Sequence, residues 1–223
     1  MSEYRAVILD DAFDRKFDYG NSDYDTRHLF TTSVTYVVPQ MAWADGWKGY
    51  IVNGWQLSSL LNFHSGQPYD ETRSGLDLIG DPFKGLSHTF SAAQGGTVWL
   101  NPSSFAVPLP GDPGAARNTV RGPGFSDVDF SIFKNIPITE RVHVQLRAEF
   151  YNLFNRVNLA SGPGAVNLSC GAANPTSPLL ADRTCTSANH FGLVSDTIGD
   201  FNGAPGIGPG EARNIQLVAK IIF

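Results

Sequence analysis

The sequence predicts an all-β chain, an antiparallel up-and-down meander of about five strands carrying two long loops. The first observation is the segment Ala212–Phe223 (ARNIQLVAKIIF). Ile215, Leu217, Ala219, Ile221 and Phe223 fall on one side of an extended strand, and Asn214, Gln216 and Lys220 on the other, with Val218 and Ile222 among them. The second is Arg141–Asn155 (RVHVQLRAEFYNLFN), where Val142, Val144, Leu146, Ala148 and Phe150 oppose His143, Gln145, Arg147, Glu149 and Tyr151. The third is a composition of 23 Gly, 14 Pro and 26 aromatic residues (15 Phe, 7 Tyr, 4 Trp) in 223, which suits a turn-rich β protein. A long apolar strand face in water is an aggregation hazard. In a transmembrane barrel that face meets lipid, so the expected architecture is a partial outer-membrane β-barrel.

The elements follow in order. Arg27–Pro39 places Phe30, Thr32, Val34, Tyr36 and Val38 on one face, with the β-branched and aromatic residues that strands favour. Gln40–Gly49 is a short connection with Trp43 and Trp47. A second strand is expected from about Tyr50 to His64, with Trp55, Leu57, Ser59, Leu61 and Phe63 against Gly54, Gln56, Ser58, Asn62 and His64, and Leu60 the apolar intruder. Ser65–Pro123 is dense in turn chemistry (SGQP, GDPF, NPSS, PLPGDPG, RGPG) and reads as mostly loop. Gly124–Asn135 is a third strand, with Val128, Phe130 and Ile132 alternating against Asp127, Asp129 and Ser131, and IPITE (136–140) is a turn. Arg141–Asn155 is the fourth strand. A helical stripe of Leu146, Phe150 and Leu153 competes there, and the alternation outweighs it. Arg156–Glu211 is the second long loop, and the terminal segment is the fifth strand. Short connections alternating with long loops match the two ends of an outer-membrane barrel.

Several functional classes are disfavoured. The formal charge of −5 argues against nucleic acid as a partner. No apolar run reaches the roughly 18 residues a membrane helix needs. There is no GxSxG, HExxH, P-loop or paired CxxC, so no enzyme is expected, and no metal or other cofactor. Gly206–Gly210 is glycine-rich but precedes a strand. Asp196, Asp200 and Asn202 lack calcium-loop spacing and read as a surface turn. Cys170 and Cys185 are the only cysteines, 15 positions apart. The alternatives are two free thiols or a disulfide, and an oxidising compartment favours the bridge. Tyr36, Trp43 and Trp47 at one end of the strands, and Phe63, Tyr151 and Phe154 at the other, are candidates for interfacial girdles.

Specific stretches resemble a known family. GWQLSSLLNFHSGQPY (54–69), NPSSFAVP (101–108), RNTVRGPGFSDVDFSIFKNIPITERVHVQLRAEFYNLFNRVN (117–158) and the terminal ARNIQLVAKIIF are similar to the C-terminal barrel of TonB-dependent receptors. The similarity is to the Oar-like group that carries a carboxypeptidase-regulatory-like domain, and DYGNSDYDTRHLF (18–30) resembles the segment entering an earlier strand there. The resemblance implies a Gram-negative cell outer membrane and a barrel of about 22 strands around a plug, importing a ligand with energy passed through TonB. It further implies that residues 1–26 extend from an upstream part and that 27–223 are C-terminal barrel strands. Residues 1–25 lack the basic start and apolar stretch of an export signal, so the chain is expected to be the tail of a longer receptor, not competent for transport alone.

On that reading Val142, Val144, Leu146 and Phe150 face lipid. His143, Gln145, Arg147 and Glu149 face the lumen, as plug or ligand contacts or, in the favoured reading, as an inter-strand salt-bridge ladder on the wall. Leu217, Ala219, Ile221 and Phe223 form the strand read by the barrel-assembly machinery. Expected partners are outer-membrane lipid, the plug and remaining barrel strands, the assembly machinery, and TonB through the N-terminal part. The alternative is an exported soluble β-sandwich binding module, which buries one face of each strand against a second sheet.

Overall fold

Alternation of apolar and polar side chains becomes an antiparallel sheet only when each strand finds a register that keeps like faces together. In the computed structural model, which describes residues 19–69, 75–112, 114–161, 166–198 and 212–223, five long strands do so. They are β1 (Leu29–Val37), β2 (Trp55–His64), β9 (Phe125–Pro137), β10 (His143–Tyr151) and β12 (Asn214–Ile222), hydrogen-bonded in that order. Every neighbouring pair is antiparallel. The order in space is the order in sequence, so the sheet is the up-and-down meander that the sequence predicts. Among the described residues it is an open sheet with β1 and β12 at its edges.

The β9–β10 turn is closed by the Ile138 and Thr139 amides donating to the Val142 carbonyl at 2.9 and 3.0 Å. The β1–β2 connection departs from expectation. Tyr50–Gly54 does not begin the second strand, because Trp47–Val52 forms a short helix, α1, and β2 starts at Trp55. Trp47, Tyr50 and Ile51 lie at helical spacing, a period that competes with the strand reading of YIV. Gly54 then makes the break. Its φ of 82° suits glycine, and a Cβ there would run into the Asn135 carbonyl. The bare backbone lets the Asn135 amide donate to the Gly54 carbonyl at 2.8 Å.

The two long connections are not structureless. Together with residues 19–26 they form a separate compact unit (Gly66–Gly124 and Leu159–Asp196), with seven short strands among its described residues. Pro68–Tyr69 (β3) pairs with Val120–Arg121 (β8), and Asp77–Leu78 (β4) with Phe105–Ala106 (β7). Gly96–Val98 (β6) pairs with Phe90–Ser91 (β5) and with Leu193–Val194 (β11). Their apolar side chains make a core of Tyr69, Leu76, Leu100, Phe105, Val120, Val166, Cys185, Phe191 and Val194. Residues 19–26 are held to this unit by polar contacts. Arg117 Nη2 meets Asp23 Oδ1 at 3.0 Å, Arg121 pairs with Asp25, and Asn118 Nδ2 donates to the Asn21 carbonyl at 2.6 Å. Both connections are mostly loop, as expected, and the short strands within them, of two or three residues, are too short to give a local period to read.

Candidate functional site

The registers of the five-stranded sheet decide which side chains share a face. Directly opposed residues in antiparallel strands point the same way. Val144 lies between Ile136 and Ile221, Leu146 between Lys134 and Ala219, Ala148 between Ile132 and Leu217, and Phe150 between Phe130 and Ile215. Through β2 and β1 the same face continues to Leu57 and Tyr36, Leu61 and Thr32, and Phe63 and Phe30. This face is apolar and open, with Leu217 at 80% and Ile221 at 62% exposure. Ser59 is a polar member, and it satisfies its hydroxyl by donating to the Asp129 carbonyl at 2.9 Å. Val142 precedes β10 and sits in the turn; Phe223 lies just past β12.

The opposite face carries His143, Gln145, Arg147 and Glu149. Gln145 lies between Asn135 and Lys220, and Glu149 between Ser131 and Gln216. Alternate residues along one strand are close enough to connect, and here they form a continuous ladder. Gln145 Nε2 donates to Asn135 Oδ1 (2.9 Å), and Arg147 Nε donates to Gln145 Oε1 (2.6 Å). Arg147 Nη1 stands 3.9 Å from Glu149 Oε1, and the Tyr151 hydroxyl donates to Glu149 Oε2 at 3.3 Å. The Arg147 guanidinium also lies over the Phe133 ring, 5.2 Å from its centre. Toward β1, Thr31 Oγ1 donates to Asn62 Oδ1 (3.1 Å), and the Thr35 and Ser58 hydroxyls are 3.3 Å apart. Apolar residues also lie on this face: Leu60, Phe133, Val218 and Ile222 within it, and Leu29, Val37, Phe125 and Pro137 toward the strand ends.

At the outer ends of β1, β2 and β9, away from the short connections, a cavity of about 450 Å³ is lined by Arg27, His28, Leu29, Phe30, Phe63, His64, Ser65 and Phe125. His64 stacks on Phe125 with centres 4.9 Å apart, and its Nδ1 is 3.1 Å from the Ser65 carbonyl.

In the loop unit Cys170 and Cys185 are joined in a disulfide. Asp196 is described; Asp200, Asn202 and Gly206–Gly210 lie outside the described residues.

A sheet with one continuous apolar face and one polar face has the sidedness of a barrel wall. A family model described as an outer membrane beta barrel domain matches residues 2–216. The chain belongs to this family. No curated protein and no solved structure gives a significant match. As an outer membrane beta barrel domain protein, the chain is located in the cell outer membrane. Among the described residues its sheet is not closed: β1 and β12 each have one open edge.

The sequence reading did not single out Lys134. It sits on the apolar face opposite Leu146 and Trp55, yet is only 7% exposed. Its parity was readable, since it follows Phe130 and Ile132 at steps of two. The carbonyls that receive it, of Ile51 and Asn53, lie in the last turn of α1 and just beyond it, where the sequence predicts a strand from Tyr50 onward.

Proposed function

We propose that this chain is the C-terminal part of a TonB-dependent receptor barrel of the Oar-like group, supplying barrel wall and ligand-facing loops to an outer-membrane importer. The observation that carries the reading is the sorting of the sheet. Val144, Leu146 and Phe150 share the apolar face with Leu217, Ala219 and Ile221, while His143, Gln145, Arg147 and Glu149 share the other. The first set faces lipid, and the second faces a water-filled lumen where a hydrogen-bonded polar ladder is at home.

Residues 27–223 contribute strands and loops, and 1–26 lead in from an upstream part. The wall is not catalytic. Its partners are outer-membrane lipid, the plug and the remaining strands, with TonB engaged through the N-terminal part. An open edge in lipid leaves backbone groups unsatisfied, which is why further strands are required. The β12 residues Leu217, Ala219 and Ile221, with Phe223, are the segment offered to the barrel-assembly machinery. Family membership in an outer-membrane group leaves the soluble sandwich without support.

The test is the mass of the native product in the outer-membrane fraction, detected with an antibody against residues 141–155. A band several times larger than a 223-residue chain supports the receptor. A membrane-embedded band at the size of this chain overturns it, and a soluble product overturns the barrel reading too.

A further inference from the structure

Residues 19–26 join the loop unit by a different kind of contact from the rest of it. Among the described residues, no side chain of this segment belongs to the apolar core or packs against it. Its two aromatic residues, Tyr19 and Tyr24, are 87% and 80% exposed. What the segment turns inward is polar and alternates along the chain: Asn21, Asp23 and Asp25 are partly buried, while Ser22 and Tyr24 between them are exposed. The Asp25 amide donates to the Ser22 carbonyl at 2.9 Å, closing a turn whose two carboxylates both meet arginines.

The surface that receives them is held by the core. Arg117 and Asn118 lie just before β8, and Arg121 ends it. Val120 anchors that strand among the core side chains, and the Trp99 indole donates to the Arg121 carbonyl at 2.9 Å. Arg121 grips both the carboxylate and the carbonyl of Asp25, the latter at 3.1 Å, and also donates to the Gly66 carbonyl at 3.0 Å. Asn118, fully buried, donates to Asp23 Oδ1 at 2.8 Å, and its carbonyl accepts from Asn21 Nδ2 at 3.1 Å. Gly20 passes so close to Arg117 that a Cβ there would lie 2.3 Å from the Arg117 carbonyl oxygen.

We propose that residues 19–26 are a releasable strap, and that Arg117, Asn118 and Arg121 beneath it form a binding site for an acidic peptide with carboxylates two residues apart, which the strap fills in cis. Partly exposed ion pairs contribute little each, and a segment with no share in the apolar core opens locally at low cost. The arginines stay in place when it opens, because β8 is fixed by Val120 and by its pairing with β3. Guanidinium groups bind carboxylates with directional, charge-assisted hydrogen bonds, so the vacated site keeps its preference for them. The strap runs on into β1 and is therefore tethered beside its site. Its effective concentration there excludes a competing peptide until the strap is drawn away or loses its carboxylates.

The experiment uses the native protein, solubilised in mild detergent from outer membranes, and a fluorescent peptide of the strap's own sequence, YGNSDYDT. Asp23→Asn with Asp25→Asn removes the two carboxylates and keeps their shape. Gly20→Val lifts the strap by collision with the Arg117 backbone and keeps the carboxylates. In both variants hydrogen exchange of the amides in 19–26 is expected to be roughly tenfold faster, with the Val120 and Cys185 amides unchanged. The labelled peptide is expected to bind the Asp23→Asn, Asp25→Asn protein and not the native one. Binding is expected to be lost with the peptide YGNSNYNT and on adding Arg121→Gln. Native exchange of 19–26 in both variants overturns the strap, as does a Val120 amide that accelerates with it. Faster exchange confined to 19–26 with no binding of the labelled peptide overturns the site.

Discussion

The amide of Cys185 donates to the carbonyl of Phe105 at 2.8 Å, and the sulfur of the same Cys185 is bonded to Cys170. One residue thus joins two long connections, far apart in sequence, and ties the second one back on itself. The neighbouring contacts run in register: Ala106 bridges to Thr184, and the Val107 amide donates to the Arg183 carbonyl at 2.9 Å. Arg183, itself buried, returns a hydrogen bond to the Val107 carbonyl. This strap turns two loops into one unit with a core.

Removing the disulfide with Cys170→Ser and Cys185→Ser is expected to destabilise the loop unit by about 3 kcal/mol, the chain-entropy value for a loop closed over 15 positions. Denaturant midpoints of the oxidised native protein, with and without reductant, give the comparison. A midpoint for the loop unit that reductant does not move refutes the contribution.

Phe105 is fully buried and stacks obliquely on Phe191, ring centres 5.1 Å apart. Phe105→Ala leaves a cavity and is expected to cost about 3–5 kcal/mol. Phe154→Ala, at an exposed position, is expected to change stability by less than about 0.5 kcal/mol. Equal effects in thermal unfolding would mean that the core is not where the structure puts it.

The two faces of the sheet are expected to respond oppositely to charge. Leu217→Arg puts a cation on the apolar face and is expected to cost on the order of 2–4 kcal/mol if that position lies near the bilayer midplane. Gln145→Arg, on the polar face, is expected to be tolerated. Urea unfolding of each variant in lipid measures the difference, and a tolerated Leu217→Arg would reverse the facing.

Tyr69 is buried, its hydroxyl has no hydrogen-bond partner among the described residues, and burial pushes the phenol above its ordinary value of 10.0. The neutral form is the one that the core accepts. Stability of the loop unit is therefore full below pH 10 and falls as the pH rises beyond it, on the order of 1 kcal/mol per pH unit, because the unfolded phenol ionises first. Tyr69→Phe is expected to be near neutral at pH 7 and to remove this alkaline loss. Unfolding midpoints of both proteins between pH 8 and 11 test it; parallel curves would place the alkaline sensitivity elsewhere.

The five long strands were legible because period-two alternation is a local property. Each strand of nine or more residues repeats it often enough to declare both its existence and its faces. The sidedness of His143, Gln145, Arg147 and Glu149 against Val144, Leu146 and Phe150 follows from the same repeat. The registers then place Leu217 beside Ala148, and Gln216 beside Glu149.

Only the tertiary structure decided the rest. The side-chain ladder from Asn135 to Tyr151 depends on which residue of β9 stands across from Gln145, and register belongs to a pair of strands rather than to one. Apart from the local β5–β6 hairpin, the loop core is built from strands of two or three residues whose partners lie tens of residues away, so no stretch of sequence contains the whole pattern. Helix α1 owes its shape to Gly46 and Gly54 at positive φ and to Lys134 and Trp55 reaching across from the sheet. By itself, the sequence determined what repeats along one strand. Whatever required two distant segments to meet was settled by the packing and hydrogen bonding that only the folded chain provides.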